Sequence, residues 1–192
     1  MNPFDLSNKV ICVTGASSGI GRQCAVSCSR MGATVVLLAR NEQRLHETLS
    51  IMDNPDKHVI IPVDLTEYAT VELVVKNIVS QVGRISGVLH CAGISTTLPL
   101  KLVTPEKLDE FFQANVFSAY NLTREVCKMG NFSKEGGSIV FFSSVMGKVG
   151  ENGKSLYGMT KGALVSGTRS LACELAKKKI RVNLSLIHIS EP

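Results

Sequence analysis

Short apolar runs with the length of β-strands recur along the chain. In Thr34–Ala39 every residue after the threonine is apolar, a pattern typical of strands that are covered on both faces in a parallel sheet. Runs of this kind predict six strands. They cover residues 10–14, 34–39, 58–63, 87–90 and 138–142, and a sixth begins at 181–184.

Between these runs, apolar residues recur at helical spacing. Helices are predicted over 19–31, 41–51 and 156–176, and after Thr66 and Thr104. Thr66 is expected to cap a helix whose apolar stripe comprises Val71, Val74, Val75, Ile78, Val79 and Val82. Thr104 and Pro105 form a strong helix start, a cap followed by proline at the first helical position. The apolar face of that helix is expected to comprise Leu108, Phe111, Phe112, Val116, Ala119, Leu122 and Val126.

Strands that alternate with helices predict an α/β fold with a doubly wound parallel sheet. Right-handed crossovers then place helices on both faces, which gives three layers, α/β/α. A length of 192 residues suits one domain. Ligands on such sheets bind beyond the carboxyl ends of the strands, where the strand order reverses.

The composition restricts the class of protein but does not suggest a further functional site. Apolar residues make up 44% of the chain, and no apolar run approaches the roughly 20 residues of a membrane helix. Residues 1–9 do not resemble a signal peptide, and we expect a cytoplasmic location. The net charge is +5, and the one tight basic run in the sequence consists of Lys177, Lys178 and Lys179. Cations at these positions suit a helix C-terminus better than a nucleic-acid surface.

Six cysteines are present, and none forms a C-x-x-C pair. Cys24 and Cys28 share a helical face, but no further Cys or His lies near them in sequence. We therefore expect no metal site and predict free thiols.

The turn after the first strand is rich in glycine. It reads Thr14-Gly15-Ala16-Ser17-Ser18-Gly19-Ile20-Gly21, with the spacing G-x-x-x-G-x-G, and it opens a helix. Glycines let the backbone approach a pyrophosphate, whose charge the helix N-terminus attracts. The alternative is a turn that needs glycine only for its shape.

Tyr157 and Lys161 form a Y-x-x-x-K motif at the start of a helix, so both lie on one helical face. Bringing a tyrosine pKa from about 10 to near 7 requires about 4 kcal/mol, to which a neighbouring ammonium contributes. This pair also occurs by chance, but Ser144, thirteen residues earlier at a strand end, strengthens the case for acid/base chemistry.

Together these motifs resemble the short-chain dehydrogenase/reductase family, closest in pattern to 3-oxoacyl-carrier-protein reductases. The resemblance covers about residues 7–183. It implies a Rossmann-type fold and hydride transfer between NAD(P)(H) and a carbonyl or secondary alcohol, with Tyr157 as general acid/base. It also implies that Ser144 holds the substrate oxygen, that Lys161 holds the nicotinamide ribose and lowers the pKa of Tyr157, and that Asn115 holds a relay water. A purely structural Asn115 is the alternative.

The resemblance also implies the cofactor contacts. They are Gly15, Ser17, Ser18, Gly19, Ile20, Gly21, Arg40, Asp64, Leu65, Ala92, Gly93, Tyr157 and Lys161. The second strand ends in Ala39-Arg40 without an acid, which favours NADP(H), since arginine suits a 2′-phosphate. Arg40 as a surface residue and Asp64 as a turn residue are the alternatives.

The chain departs from the family pattern in two places. The family's Asn-Asn-Ala-Gly reads His90-Cys91-Ala92-Gly93 here, which removes an amide hydrogen bond and is expected to cost modest stability. Residues 184–192 do not resemble the family. We expect residues 1–183 to be an incomplete NADP-binding domain and 184–192 to be a non-native tail, with natural truncation as the alternative. Such a fragment is expected to show little turnover.

Three functions remain open. The first is an NADP(H)-linked oxidoreductase acting on a small or acyl-carrier-bound carbonyl substrate. The second is an inactive nucleotide-binding or assembly module, which we expect of the fragment itself. The third is an epimerase or dehydratase on the same scaffold. The resemblance further implies a homodimer or homotetramer of the full-length protein, in which helices at 104–129 and 156–176 pair across two-fold axes.

Overall fold

The computed structural model describes residues 4–187, which form one six-stranded parallel sheet. The strand order is β3-β2-β1-β4-β5-β6. The bounds are Val10–Thr14 for β1, Thr34–Ala39 for β2, Val59–Pro62 for β3, Gly87–His90 for β4, Gly137–Ser144 for β5 and Ile180–Ile187 for β6. The predicted doubly wound parallel sheet is confirmed.

Six α-helices cover the two faces of the sheet. They are α1 (Gly19–Arg30), α2 (Glu42–Leu49), α3 (Tyr68–Val82), α4 (Pro105–Phe112), α5 (Ser118–Val126) and α6 (Ser155–Leu175). One apolar core contains residues of α1 and α2, and the other contains residues of α3, α5 and α6. In the α3 stripe, Val71, Val75 and Ile78 are fully buried against the sheet, as the periodicity predicts.

The order of the strands reverses at β1, because β2 lies on one side of it and β4 on the other. Thr14 is paired with Leu38 of β2 and with His90 of β4, so these three strands end at nearly the same level. The glycine-rich turn leaves the sheet at this point. The switch point therefore opens a crevice beyond the carboxyl edge of the sheet.

Two predictions about helix starts have different outcomes. Thr104 caps α4 as predicted, since its hydroxyl accepts a hydrogen bond from the Lys107 amide at 3.3 Å. The prediction that Thr66 caps the third helix is wrong. Its hydroxyl donates to Asp64 Oδ1 at 2.7 Å instead, and Glu67 occupies the cap position without a side-chain bond. The carboxylate two residues earlier competes successfully for the hydroxyl.

The helix that begins after Thr104 is not continuous. A π-helical turn over Gln113–Phe117 separates α4 from α5 and rotates the apolar face. Leu108, which was expected on that face, is 40% exposed as a result, whereas Phe111 and Leu122 are buried.

Strand β6 extends beyond its predicted start and pairs with β5 through Ile187. The first four residues of the expected tail, 184–187, thus continue the sheet, and residues 188–192 lie outside the described residues. The origin of the tail stays a prediction. Among residues 4–187, no helix is both long and apolar enough to cross a bilayer.

Candidate active site

A cleft of about 1010 Å³ lies at the carboxyl edge of the sheet, above the switch point. It extends from Arg40 and Asp64 at one end, past the glycine-rich turn, to Tyr157 and Lys161 at the other. Of the residues proposed from sequence, all except Asn115 and Ser144 line it. Those two lie directly behind its wall.

The glycine-rich turn has the backbone shape that an anion site requires. Gly15 adopts a φ of +65°, and a Cβ there would lie 3.0 Å from the backbone of Ala92. A Cβ at Gly21 would overlap the carbonyl oxygen of Gly15. Ser18 is extended and makes no side-chain cap, so the first amides of α1 face the cleft without a capping partner. These positions accept glycine alone because backbone passes against backbone.

The end of β4 is held by a hydrogen bond that the sequence did not suggest. Ala92 N donates to Thr14 Oγ1 at 3.0 Å, which ties the strand end to β1 without the amide of the family pattern. A Cβ at Gly93 would lie 3.0 Å from Asn115 Oδ1 and 3.5 Å from Lys161 Nζ. Only a residue without a side chain leaves this part of the cleft open for a flat ring.

His90 is a packing residue rather than a ligand-binding one. Its ring stacks on Phe141 with centroids 4.6 Å apart, and Nε2 is 2.8 Å from Thr123 Oγ1. Burial lowers its pKa to about 3, so the ring is neutral at ordinary pH. Within residues 4–187, no three His, Cys, Asp or Glu side chains are placed to share a metal ion.

The other end of the cleft carries two arginines. Arg40 NH1 lies 3.8 Å from Asp64 Oδ2, and the Arg40 side chain is largely exposed. Sequence reasoning missed Arg44, in the first turn of α2, which lines the same end. The signal was available, because Arg44 follows Arg40 by four residues across a helix start whose cap, Asn41, accepts from the Arg44 amide. An exposed cationic fork suits a phosphate dianion.

Tyr157, Ser144 and Lys161 converge at the opposite end. Lys161 Nζ lies 5.6 Å from the centroid of the Tyr157 ring and donates to Phe142 O at 2.8 Å. Ser144 Oγ accepts from Met146 N at 3.2 Å and also hydrogen-bonds the Tyr157 side chain. The strand end of β5 and the first two turns of α6 bring the three together.

The electrostatics of this group differ from the sequence expectation in one respect. Burial raises the pKa of Tyr157, and the hydrogen bond with Ser144 offsets this only in part. Burial also lowers the pKa of Lys161 to about 8. The expected lowering of the Tyr157 pKa by Lys161 is absent in this structure, because the ammonium is directed at the carbonyl of Phe142.

Asn115 has every polar atom of its side chain occupied. Oδ1 accepts from Ile94 N at 2.7 Å, and Nδ2 donates to Ile94 O at 3.0 Å and to Thr160 Oγ1 at 3.0 Å. It lies in the π-helical turn, a feature that recurs at functional sites. The side chain therefore joins the segment after β4 to α6, and the structural alternative describes it well.

A glycine-rich turn at the switch point of a parallel sheet, with a tyrosine–lysine pair at the far end of one cleft, defines a nucleotide-binding α/β protein. The family follows from comparison with known sequences. Residues 9–187 match the family model of short chain dehydrogenases, and the chain belongs to this family of oxidoreductases.

Individual relatives with known names are consistent with this family. The chain is 34% identical over 187 residues to NADPH-dependent aldehyde reductase 1, chloroplastic, of Arabidopsis thaliana, which covers 93% of this chain and 64% of that protein. It is 31% identical over 177 residues to 3-oxoacyl-[acyl-carrier-protein] reductase of Homo sapiens, which covers 92% and 73%. Such relatives are longer, since the chain spans 63 to 76% of their length.

The fold also matches solved structures. A crystal structure of a short-chain dehydrogenase from Streptomyces avermitilis superposes with a TM-score of 0.86 at 31% identity, over 92% of this chain and 64% of that one. The six-stranded sheet and its flanking helices therefore have the architecture of the family.

Proposed function

We propose that the whole protein is an NADP(H)-dependent oxidoreductase that interconverts a carbonyl and a secondary alcohol. One observation carries the proposal: Tyr157 and Lys161 line one end of a single cleft, with Ser144 beside Tyr157 behind its wall, and the other end carries Arg40 and Arg44. In such a cleft Arg40 and Arg44 would hold the phosphate-bearing ribose of a dinucleotide, the glycine-rich turn would hold its pyrophosphate, and Tyr157 would face its reactive ring.

Ser144, Tyr157 and Lys161 would have different roles in the reduction of a carbonyl. NADPH held in the cleft would supply the hydride for the carbonyl carbon. Ser144 Oγ accepts from Met146 N and hydrogen-bonds the Tyr157 side chain, and its hydroxyl would turn to the substrate oxygen when a carbonyl is bound. Because burial raises the pKa of Tyr157, the phenol is protonated at neutral pH and delivers its proton to that oxygen. Lys161 Nζ is held by Phe142 O and lies 5.6 Å from the centroid of the Tyr157 ring, where it would hold the nicotinamide ribose.

Preference for NADPH over NADH is the first test, and the 192-residue chain is suited to it. A charge-assisted hydrogen bond contributes about 1.5–3 kcal/mol, so NADPH is expected to bind about tenfold tighter or more. Calorimetric titration of both nucleotides measures the ratio. Arg40→Asp is expected to remove most of the preference, and Arg44→Ala part of it.

Arg30→Asp at the far end of α1 makes the same charge change away from the cleft and serves as the control. Equal affinity of the unchanged chain for both nucleotides, or a preference that survives Arg40→Asp, contradicts the cofactor assignment.

Replacement of Tyr157 by phenylalanine tests the chemistry in the whole protein. The ring and its packing remain while the proton is removed, so ketone reduction is expected to fall by at least about 10²-fold. NADPH affinity is expected to stay nearly constant. Near-normal turnover in Tyr157→Phe rejects the mechanism, and nucleotide binding without any turnover in the unchanged whole protein favours the binding-module alternative.

A further inference from the structure

Two thiols meet beneath the glycine-rich turn, and the proposed mechanism uses neither. Cys24 lies on α1, and Cys91 follows the last residue of β4. The Cys91 thiol is hydrogen-bonded to the Cys24 sulfur. Both residues are partly buried and pack against the same apolar core, and Cys91 also lines the cleft.

The backbone around the two cysteines is closely packed. A Cβ at Gly15 would lie 3.2 Å from the carbonyl carbon of Cys91, and Gly21 presses on the carbonyl of Gly15. Cys24 follows Gly21 by three residues and so lies on the same face of α1. The close packing of α1 on β1 and β4 therefore places the two thiols together and keeps them so.

The two thiols differ in acidity. The hydrogen bond from Cys91 lowers the pKa of Cys24 below that of an ordinary thiol, which favours the Cys24 thiolate. The hydrogen bond to Cys24, together with burial, raises the pKa of Cys91 and keeps its proton in place. By contrast, burial raises the pKa of Cys28 to about 11, and Cys173 is exposed on α6, far along the chain from both.

We propose that Cys24 and Cys91 form an oxidation site, at which a hydroperoxide converts the two thiols into a disulfide that ties α1 to the end of β4. The Cys24 thiolate attacks the peroxide, an S–O bond forms, the O–O bond breaks, and an alcohol or water leaves. Cys91 sulfur then displaces the hydroxyl of the sulfenic acid as water, with the Cys91 proton, and the S–S bond forms. The two sulfurs are oxidised and the hydroperoxide is reduced.

Closing this bond shortens the sulfur–sulfur separation to about 2.05 Å. Gly15 and Ala92 are already in close backbone contact, so the movement is transmitted to the floor of the cleft. We expect the oxidised protein to bind NADPH more weakly, and dithiothreitol to restore the affinity. This consequence rests on the proposed nucleotide site, whereas formation of the disulfide does not.

Peptide mapping tests the disulfide directly. The protein is treated with stoichiometric hydrogen peroxide, alkylated and digested with trypsin without reduction. Cleavage yields peptide 23–30, which contains Cys24 and Cys28, and peptide 85–101, which contains Cys91. The Cys28→Ser variant removes the ambiguity in the first peptide. The linked pair is expected in the unchanged protein, in Cys28→Ser and in Cys173→Ser.

The linked pair is expected to be lost in Cys24→Ser and in Cys91→Ser, and dimedone is expected to label Cys24 in Cys91→Ser. A Cys24–Cys28 or Cys28–Cys91 linkage, or oxidation confined to Cys173, overturns the proposal. A disulfide that forms but leaves NADPH affinity unchanged overturns the coupling to the cleft. Failure of the reduced protein to bind NADPH contradicts the proposed function and leaves the mapping result standing.

Discussion

At the scale of single residues, His90 shows how a buried polar group makes stability depend on pH. The ring is 3% exposed, its Nε2 pairs with Thr123 and its Nδ1 has no partner. Burial lowers its folded-state pKa from 6.5 to about 3. The unfolded chain therefore binds a proton at this histidine in a pH range where the folded protein does not. As a result, the free energy of unfolding decreases as the pH falls from about 6.5 toward 3.

We expect acidification from pH 7 to pH 5 to cost about 2 kcal/mol of unfolding free energy through His90. Urea unfolding at the two pH values measures the difference. His90→Gln keeps an amide in place of Nε2 but does not titrate. Between the two pH values this variant should therefore lose about 2 kcal/mol less unfolding free energy than the unchanged protein. His58, whose pKa burial also lowers, remains in both proteins and cancels in the comparison. Parallel pH profiles for the two proteins would show that His90 is not the source.

Residue types and their spacing placed all proposed residues except Asn115 and Ser144 on the cleft, because the motifs lie at strand ends and parallel strands end at one edge. Partner choice was less predictable. Thr66 bonds Asp64 rather than a helix amide, and Lys161 bonds Phe142 O rather than influencing Tyr157. Each outcome depends on the local geometry of the acceptors, which sequence spacing does not encode.

At the scale of elements, the strands and most helices follow from periodicity, but the π-helical turn does not. The apolar face predicted from the sequence runs through 113–117 as part of one continuous helix, and the spacing of its residues does not mark the additional residue of the π-helical turn. The turn nevertheless sets the direction of Asn115, whose amide joins Ile94 to Thr160.

Two glycines of α6 provide a matched pair of substitutions. A Cβ at Gly158 would lie 2.9 Å from the carbonyl oxygen of Met146, so Gly158→Ala is expected to destabilise the protein by about 1–3 kcal/mol. No heavy atom lies within 4 Å of a Cβ built at Gly167, so Gly167→Ala is expected to stabilise it by about 1 kcal/mol. Chemical denaturation of both variants measures the two signs. A destabilised Gly167→Ala would point to a contact that the single chain does not contain.

At the scale of the whole molecule, α4 and α5 present apolar side chains to solvent on one side. Leu108 of α4 is 40%, Phe117 of the intervening π-helical turn 43% and Tyr120 of α5 56% exposed. Exposed apolar residues on neighbouring turns are typical of association surfaces. The family resemblance implies pairing through these same helices.

We expect the whole protein to be a homo-oligomer, and multi-angle light scattering at micromolar concentration measures its mass. Tyr120→Asp is expected to shift it toward the monomer, because a charge enters the apolar contact. Leu73→Asp on α3, a similarly exposed apolar position outside this surface, is the control and should leave the mass unchanged. A monomeric unchanged protein, or dissociation by both variants alike, argues against this surface.

The strand order also has a consequence for how the chain folds. Strands β1 and β2 are joined by one helix, but the pairing of β1 with β4 brings Val10 to Ser86 across 76 positions. Closing so long a loop costs more chain entropy than any local step, and nonlocal pairing of this kind slows folding. We therefore expect the crevice between β1 and β4 to form late in folding, once β4 pairs with β1. A nucleotide that binds there selects chains that have completed this step and adds its binding free energy to them alone.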